Sequence, residues 1–271
     1  MERPQARARG RRHPAGATRE PSGRGGRIVT TFATVALCGL IGLSAFASPL
    51  VVAAAVALGG LVVAWGWPTL LGSPSRFGSS LVLALATVGC VSSVALTTSD
   101  PYLRYLPAAI AGALLLAFLH QILRRDGRPR LSESVAITAS GIAIIASGAA
   151  LVPLPLTYQG VQPLTVAMAA MGAAALADLR GGRQSMRAWL LPMAMILGGG
   201  GGVAAAYLLD GPALAPALLI GVVVAAVSHA LRRVLAVLPP IAGARGRLVS
   251  AASSVLICGM VTYVLSRAFI A

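Results

Sequence analysis

Stretches of predominantly apolar residues recur nine times along this 271-residue chain, near residues 28–47, 50–66, 78–97, 105–123, 133–152, 163–178, 188–208, 214–231 and 248–266. A helix needs roughly 20 such residues to cross the ~30 Å hydrocarbon core of a bilayer. Hydrophobic residues make up 57% of the chain and charged residues 11%, too little polar surface to coat a soluble globule of this size. The expected fold is therefore all-α, a polytopic integral membrane protein of about nine transmembrane helices. The sixth stretch is the weakest, since Leu164 to Ala177 is short and mostly alanine.

Charge placement keeps the sixth span in the count. Cytoplasmic loops of membrane proteins carry the excess of Lys and Arg, and this chain uses only Arg. With the N-terminus inside, the inner loops collect Arg76, then Arg124, Arg125, Arg128 and Arg130, then Arg180, Arg183 and Arg187, then Arg232, Arg233, Arg245 and Arg247. The outer loops hold Arg104 and Arg267. Deleting the sixth span would put every later basic loop on the wrong side, so the expected topology is N-inside and C-outside. Aromatic residues follow the same division, with Trp65, Trp67, Phe77 and Trp189 toward the inner interface and Tyr102, Tyr105, Tyr158 and Tyr207 toward the outer one.

Residues 1–27 are a different material. Eight Arg stand against Glu2 and Glu20, with Gly, Pro and Ala between them, so the segment cannot bury enough apolar surface to fold alone. It is expected to be a disordered cytoplasmic tail whose charge sets topology. It could also hold the anionic inner leaflet, at about 1 kcal/mol per Arg. Nucleic acid is not an expected partner, because the tail has no aromatic residue to stack on bases. Residues 28–47 form an extra helix ahead of the rest. Ala45-Phe46-Ala47 before Ser48-Pro49 would suit cleavage of residues 1–47 as a secretory signal, but this apolar run exceeds the usual signal core.

The remaining spans read twice in the same direction, residues 49–152 and residues 163–267. Pro49-Leu50 followed by Val52-Ala53 recurs as Pro163-Leu164 followed by Val166-Ala167. Gly89 precedes Asp100 as Gly199 precedes Asp210, and Pro107 precedes His120 as Pro216 precedes His229. Arg128-Pro129-Arg130-Leu131 is echoed by Arg245-Gly246-Arg247-Leu248. Two four-helix units with an even number of spans must face the same way, which predicts a parallel repeat about an axis along the membrane normal.

Transporters built from repeats place substrate near the midplane, beside interrupted helices. Gly198, Gly199, Gly200, Gly201 and Gly202 form a run of five in the seventh span, where each glycine costs about 1 kcal/mol of helix propensity relative to Ala. At the matching depth of the third span stand Thr87, Gly89, Cys90, Ser92 and Ser93. Gly89, Ser92, Ser93 and the glycine run are thus one candidate substrate pathway, with close helix packing as the alternative. Ser140, Gly141, Ser147 and Gly148 share a face of the fifth span and read as a packing seam.

A second candidate is ionic. His120 and Arg124, like His229 and Arg233, lie four residues apart on one helix face at a cytoplasmic helix end. Two pseudo-symmetric sites for phosphate or an anionic headgroup would use Arg to bind oxygens and His to donate; topogenic charge is the simpler account of the same residues.

Other chemistries find little support. All seven acidic residues lie in the tail, the loops or the span ends, with Glu133 and Asp178 closest to the hydrocarbon. That leaves no midplane carboxylate for a proton relay. No HExxH, GxSxG or P-loop pattern occurs, His13, His120 and His229 are scattered, and Cys38, Cys90 and Cys258 sit in separate spans. No catalytic residue, metal or cofactor is expected. The Ala-, Gly-, Pro- and Arg-rich composition without Lys points to a GC-rich bacterial genome and hence to the bacterial inner membrane as the setting. Three functions follow as expectations: permease-like or flippase-like transport, a binder or enzyme for phosphate-bearing lipids, and a non-catalytic envelope scaffold.

Overall fold

Proline and serine punctuation begins several of the helices. Ser48 caps the second, its hydroxyl accepting from the Val51 amide at 3.3 Å. Proline stands in the first turn of the second, fourth and sixth, where a backbone N–H would have no intrahelical partner. The computed structural model describes residues 24–124, 130–157, 161–181 and 184–270. The tail through residue 23, the loop carrying Arg125, Asp126 and Arg128, Tyr158 and Arg183 lie outside the described residues, and the expectations placed on them lie there too.

The helices are α1 (Arg24–Ser44), α2 (Pro49–Leu70), α3 (Arg76–Ala95), α4 (Leu106–Leu123), α5 (Leu131–Ala149), α6 (Gln162–Ala175), α7 (Leu190–Leu208), α8 (Leu214–Leu235), α9 (Ala244–Leu256) and α10 (Gly259–Phe269). No strand occurs among the described residues. These residues contain nine helical segments long and apolar enough to cross a membrane, α9 and α10 together making one of them. The short sixth segment reaches this length because α6 continues as a tighter 3₁₀ turn over Leu176–Arg180.

Loop contacts sort the helix ends into two sets. At one end His120 meets Ser75, Arg130 donates to the Gly72 carbonyl, the Arg245 guanidinium lies over the Trp65 ring and Arg232 meets Asp178. At the other, Tyr102 donates to the Leu156 carbonyl, Gln162 to the Asp210 carbonyl and Arg267 to Asp100. Among these described contacts the first set is the arginine-rich end, and the second end holds Arg267 and, on the Ser99 carbonyl, Arg104.

The centre of the bundle is α9, which packs on α1, α2, α5 and α8, while α1 wedges between α6 and α9. Consecutive helices pack on one another in both four-helix segments. The diagonal neighbours differ: α3 packs on α5 in the first segment, and α6 on α8 in the second. Trp67 is buried, 4% exposed, with its indole N–H donating to the Ile137 carbonyl at 3.1 Å. It belongs to the core and not to the interfacial belt where Trp65, Phe77 and Trp189 are exposed.

One expectation about helix continuity is corrected. The glycine run does not interrupt its span, because α7 is helical throughout Leu190–Leu208. A Cβ on Gly198 would meet Ala225 and the Gly221 carbonyl, and one on Gly201 would meet Ala173. The glycines therefore let α6 and α8 approach α7 closely, and this packing offsets the poor propensity. The interruption lies in the ninth span, which breaks between α9 and α10 at Ile257 and Cys258. There Ser147 of α5 donates to the Ile257 carbonyl at 2.8 Å and accepts from the Met260 amide at 3.0 Å. One hydroxyl thus satisfies two backbone groups freed by the break, as non-helical backbone at membrane depth requires. Gly259 has no room for a side chain against the Ser147 backbone.

Candidate functional site

Residues from four elements converge at the arginine-rich end. The 3₁₀ turn after α6 presents Asp178 and the last turns of α8 present His229, Arg232 and Arg233. The first turns of α1 and α9 bring Arg27 and Arg247. Arg27, Asp178, Arg232, Arg233 and Arg247 line a cavity of about 370 Å³, whose apolar wall is made by Leu190, Ala236, Val237 and Ile241, and His229 stands behind Asp178.

Arg232 organises the site. It is 4% exposed, a depth at which an uncompensated guanidinium would be costly. Its Nε donates to Asp178 Oδ2 at 2.6 Å, and its Nη1 donates to Ser228 Oγ at 2.5 Å and Ser254 Oγ at 3.2 Å. Nη2 is buried and has no hydrogen-bond partner among the described residues. His229, 2% exposed, places Nδ1 2.8 Å from Asp178 Oδ1, close enough to interact but not aligned for a hydrogen bond. Asp178 is thereby occupied on both oxygens.

The cavity is consequently cationic. Arg27, Arg232, Arg233 and Arg247 line it, and Asp178 is the one acidic side chain among its lining residues. Arg247 Nε is also buried without a hydrogen-bond partner among the described residues. The first turns of α1 and α9 meet the last turns of α8 and of the sixth span at this cavity, so the helix dipoles oppose one another and its positive charge comes from the side chains. Thr30 and Ser250 add hydroxyls to the wall.

The sequence-derived candidates separate. Of the two His/Arg pairs, His229 and Arg233 join this site. Arg232, three residues beyond His229, carries the buried contact, whereas the residue three beyond His120 is Leu123. His120 packs its ring on Gly78, with Nε2 2.7 Å from Ser75 Oγ, and Arg124 Nη1 donates to Gln121 Oε1 at 2.9 Å. The proposed pathway residues stand on helices that do not share an interface: α3 packs on α2, α4 and α5, and α7 on α6 and α8. Ser92 and Ser93 donate to carbonyls of their own helix, and Gly89 faces open space. Gly198, Gly199, Gly201 and Gly202 are in close packing, while Gly200 faces open space.

Arg27, Arg232, Arg247, Ser228 and Ser254 were not singled out by spacing, since they come from three helices, of which α1 is remote in the chain from α8 and α9. One signal was present: Arg232 and Arg233 stand three and four residues beyond His229, so either could share its helix face. The class defined by this architecture is an all-helical protein with nine helical segments, among the described residues, suited to a membrane and an arginine-lined cavity at one end of the bundle. No family model, curated protein or solved structure matches the chain.

Proposed function

We propose that this chain is a multi-pass inner-membrane protein that binds a phosphate-bearing anion, such as a lipid headgroup, in the cavity formed by Arg27, Arg232, Arg233 and Arg247. The observation that carries the reading is Arg232: a buried guanidinium with Nη2 unpartnered among the described residues, at the wall of a cationic cavity. Guanidinium forks match phosphate oxygens and bind them with charge-assisted hydrogen bonds. Leu190, Val237 and Ile241 would give the apolar part of a lipid a surface beside the headgroup. The arginine bias supports placing this end in the cytoplasm, facing the anionic leaflet. The paired sequence anchors support a duplication of residues 49–152 as 163–267.

Ligand-dependent stability tests the binding. Purified protein in a neutral detergent should show a rise in Tm with dihexanoyl phosphatidate and none with dihexanoyl phosphatidylcholine, since a ligand that binds only the folded state stabilises it by mass action. Arg247→Gln should abolish most of that rise. Equal responses to the two lipids, or an undiminished response in R247Q, would refute the pocket.

A further inference from the structure

The charges around the arginine cavity bear on which kind of phosphate it takes. Its cations come from three helices: Arg27 from α1, Arg232 and Arg233 from α8, and Arg247 from α9. Gly26 makes room for one of them, since the Arg247 Nη2 lies 3.0 Å from where a Cβ on Gly26 would stand. Four arginines and one aspartate leave a formal excess of three positive charges in the lining. Neither oxygen of Asp178 is free, because Oδ2 accepts from Arg232 Nε at 2.6 Å and Oδ1 lies 2.8 Å from His229 Nδ1. A headgroup with its own ammonium therefore finds no unoccupied carboxylate in the lining, whereas added negative charge is attracted by every guanidinium there.

Burial adds a second constraint. Arg232 Nη2 and Arg247 Nε are buried and have no hydrogen-bond partner among the described residues. A ligand meets such atoms with its end and not with its middle. A phosphomonoester ends in the phosphate itself, which carries about −1.5 to −2 charge at neutral pH and offers three acceptor oxygens. In a phosphodiester the second ester removes one of those charges and caps one of those oxygens. It also carries a further substituent into the space ahead of the phosphate, among side chains that are mostly donors. Guanidinium groups converging from three helices match the uncapped phosphate better.

We infer that the cavity selects a terminal phosphomonoester over phosphodiester and zwitterionic headgroups, through the excess of arginine over free carboxylate in its lining. The inference rests on the binding reading above and names the substrate class of that same site. The same terminal phosphate occurs on lipids and on soluble glycerol phosphates.

Three probes separate these cases, with dissociation constants measured by isothermal titration calorimetry on the purified full-length protein in neutral detergent. Dihexanoyl phosphatidate carries two chains and a terminal phosphate. Dihexanoyl phosphatidylmethanol has the same chains with the phosphate capped by one methyl group, and glycerol 3-phosphate has the terminal phosphate without the chains. Phosphatidate should bind at least about tenfold more tightly than phosphatidylmethanol, the scale of one charge-assisted hydrogen bond. Arg233 is exposed, so Arg233→Gln should leave the fold intact. With less excess charge, R233Q should lose more affinity for phosphatidate than for phosphatidylmethanol, which narrows the ratio between them. Glycerol 3-phosphate binding as tightly as phosphatidate supports a soluble phosphomonoester, and much weaker binding supports a lipid one. Phosphatidylmethanol binding as tightly as phosphatidate overturns the selection and spares the anion site. An unchanged ratio in R233Q overturns excess charge as its basis. Absence of binding by all three probes overturns the binding reading as well.

Discussion

Arg232 Nε donates to Asp178 Oδ2 across 2.6 Å, joining the last turn of α8 to the 3₁₀ turn that ends the sixth span. The pair closes one end of the interface between α6 and α8 and holds Arg232 in the wall of the cavity. Removing one partner of a buried pair leaves the other charge uncompensated, which typically costs about 3–5 kcal/mol. Asp178→Ala should therefore lower stability by about that amount, measured by thermal unfolding in detergent. The double variant Asp178→Leu with Arg232→Met, apolar on both sides, should recover most of the loss. A double variant as unstable as D178A would show that the pair is not the cause.

The glycine run gives an internal comparison within a single helix. Gly198 lies against Ala225 and the Gly221 carbonyl, whereas Gly200 has open space around its Cα. Gly198→Val should cost about 1–3 kcal/mol by overpacking, and Gly200→Ala should raise stability by up to about 1 kcal/mol through helix propensity. Thermal unfolding of the two variants checks both signs. Equal losses at the two positions would mean that α7 does not pack on α8 as described.

Ser147 has a similarly defined task. Its hydroxyl serves both Ile257 O and Met260 N, so Ser147→Ala would strand two backbone groups at membrane depth. A loss of about 1–3 kcal/mol is expected, together with faster amide hydrogen exchange at Met260. Ser93→Ala, which removes only a bond from a hydroxyl to its own helix's Cys90 carbonyl, should change stability far less. Unchanged exchange at Met260 in S147A would contradict the bridging role.

Much of the architecture was legible in the chain because apolar run length and arginine placement are local properties. The nine expected spans coincide in position with the nine membrane-length helical segments among the described residues, including the short sixth, which Asp178 and Arg180 complete as a 3₁₀ turn. The break in the ninth span was not legible. Val255-Leu256-Ile257-Cys258 is apolar throughout, and the group that satisfies the broken backbone is Ser147, 110 residues away. The glycine run misled for the converse reason: low helix propensity is local, while the packing of α6 and α8 that holds α7 straight is not. The site was half visible. His229 and Arg233 stood out by spacing and Asp178 by its closeness to the hydrocarbon, but their meeting with Arg27, Arg232 and Arg247 depends on α1 wedging beside α9.

The most direct test of the cationic cavity is to see what fills it in a membrane. An electron cryo-microscopy structure in nanodiscs of phosphatidylcholine containing phosphatidate should show phosphate density within hydrogen-bonding distance of Arg232 Nη2 and Arg247, with the acyl chains leaving past Val237 and Ile241. The same density should be absent from nanodiscs of phosphatidylcholine alone. A well-ordered map with the cavity holding only water in both membranes, or with phosphate bound only outside it, would contradict the account.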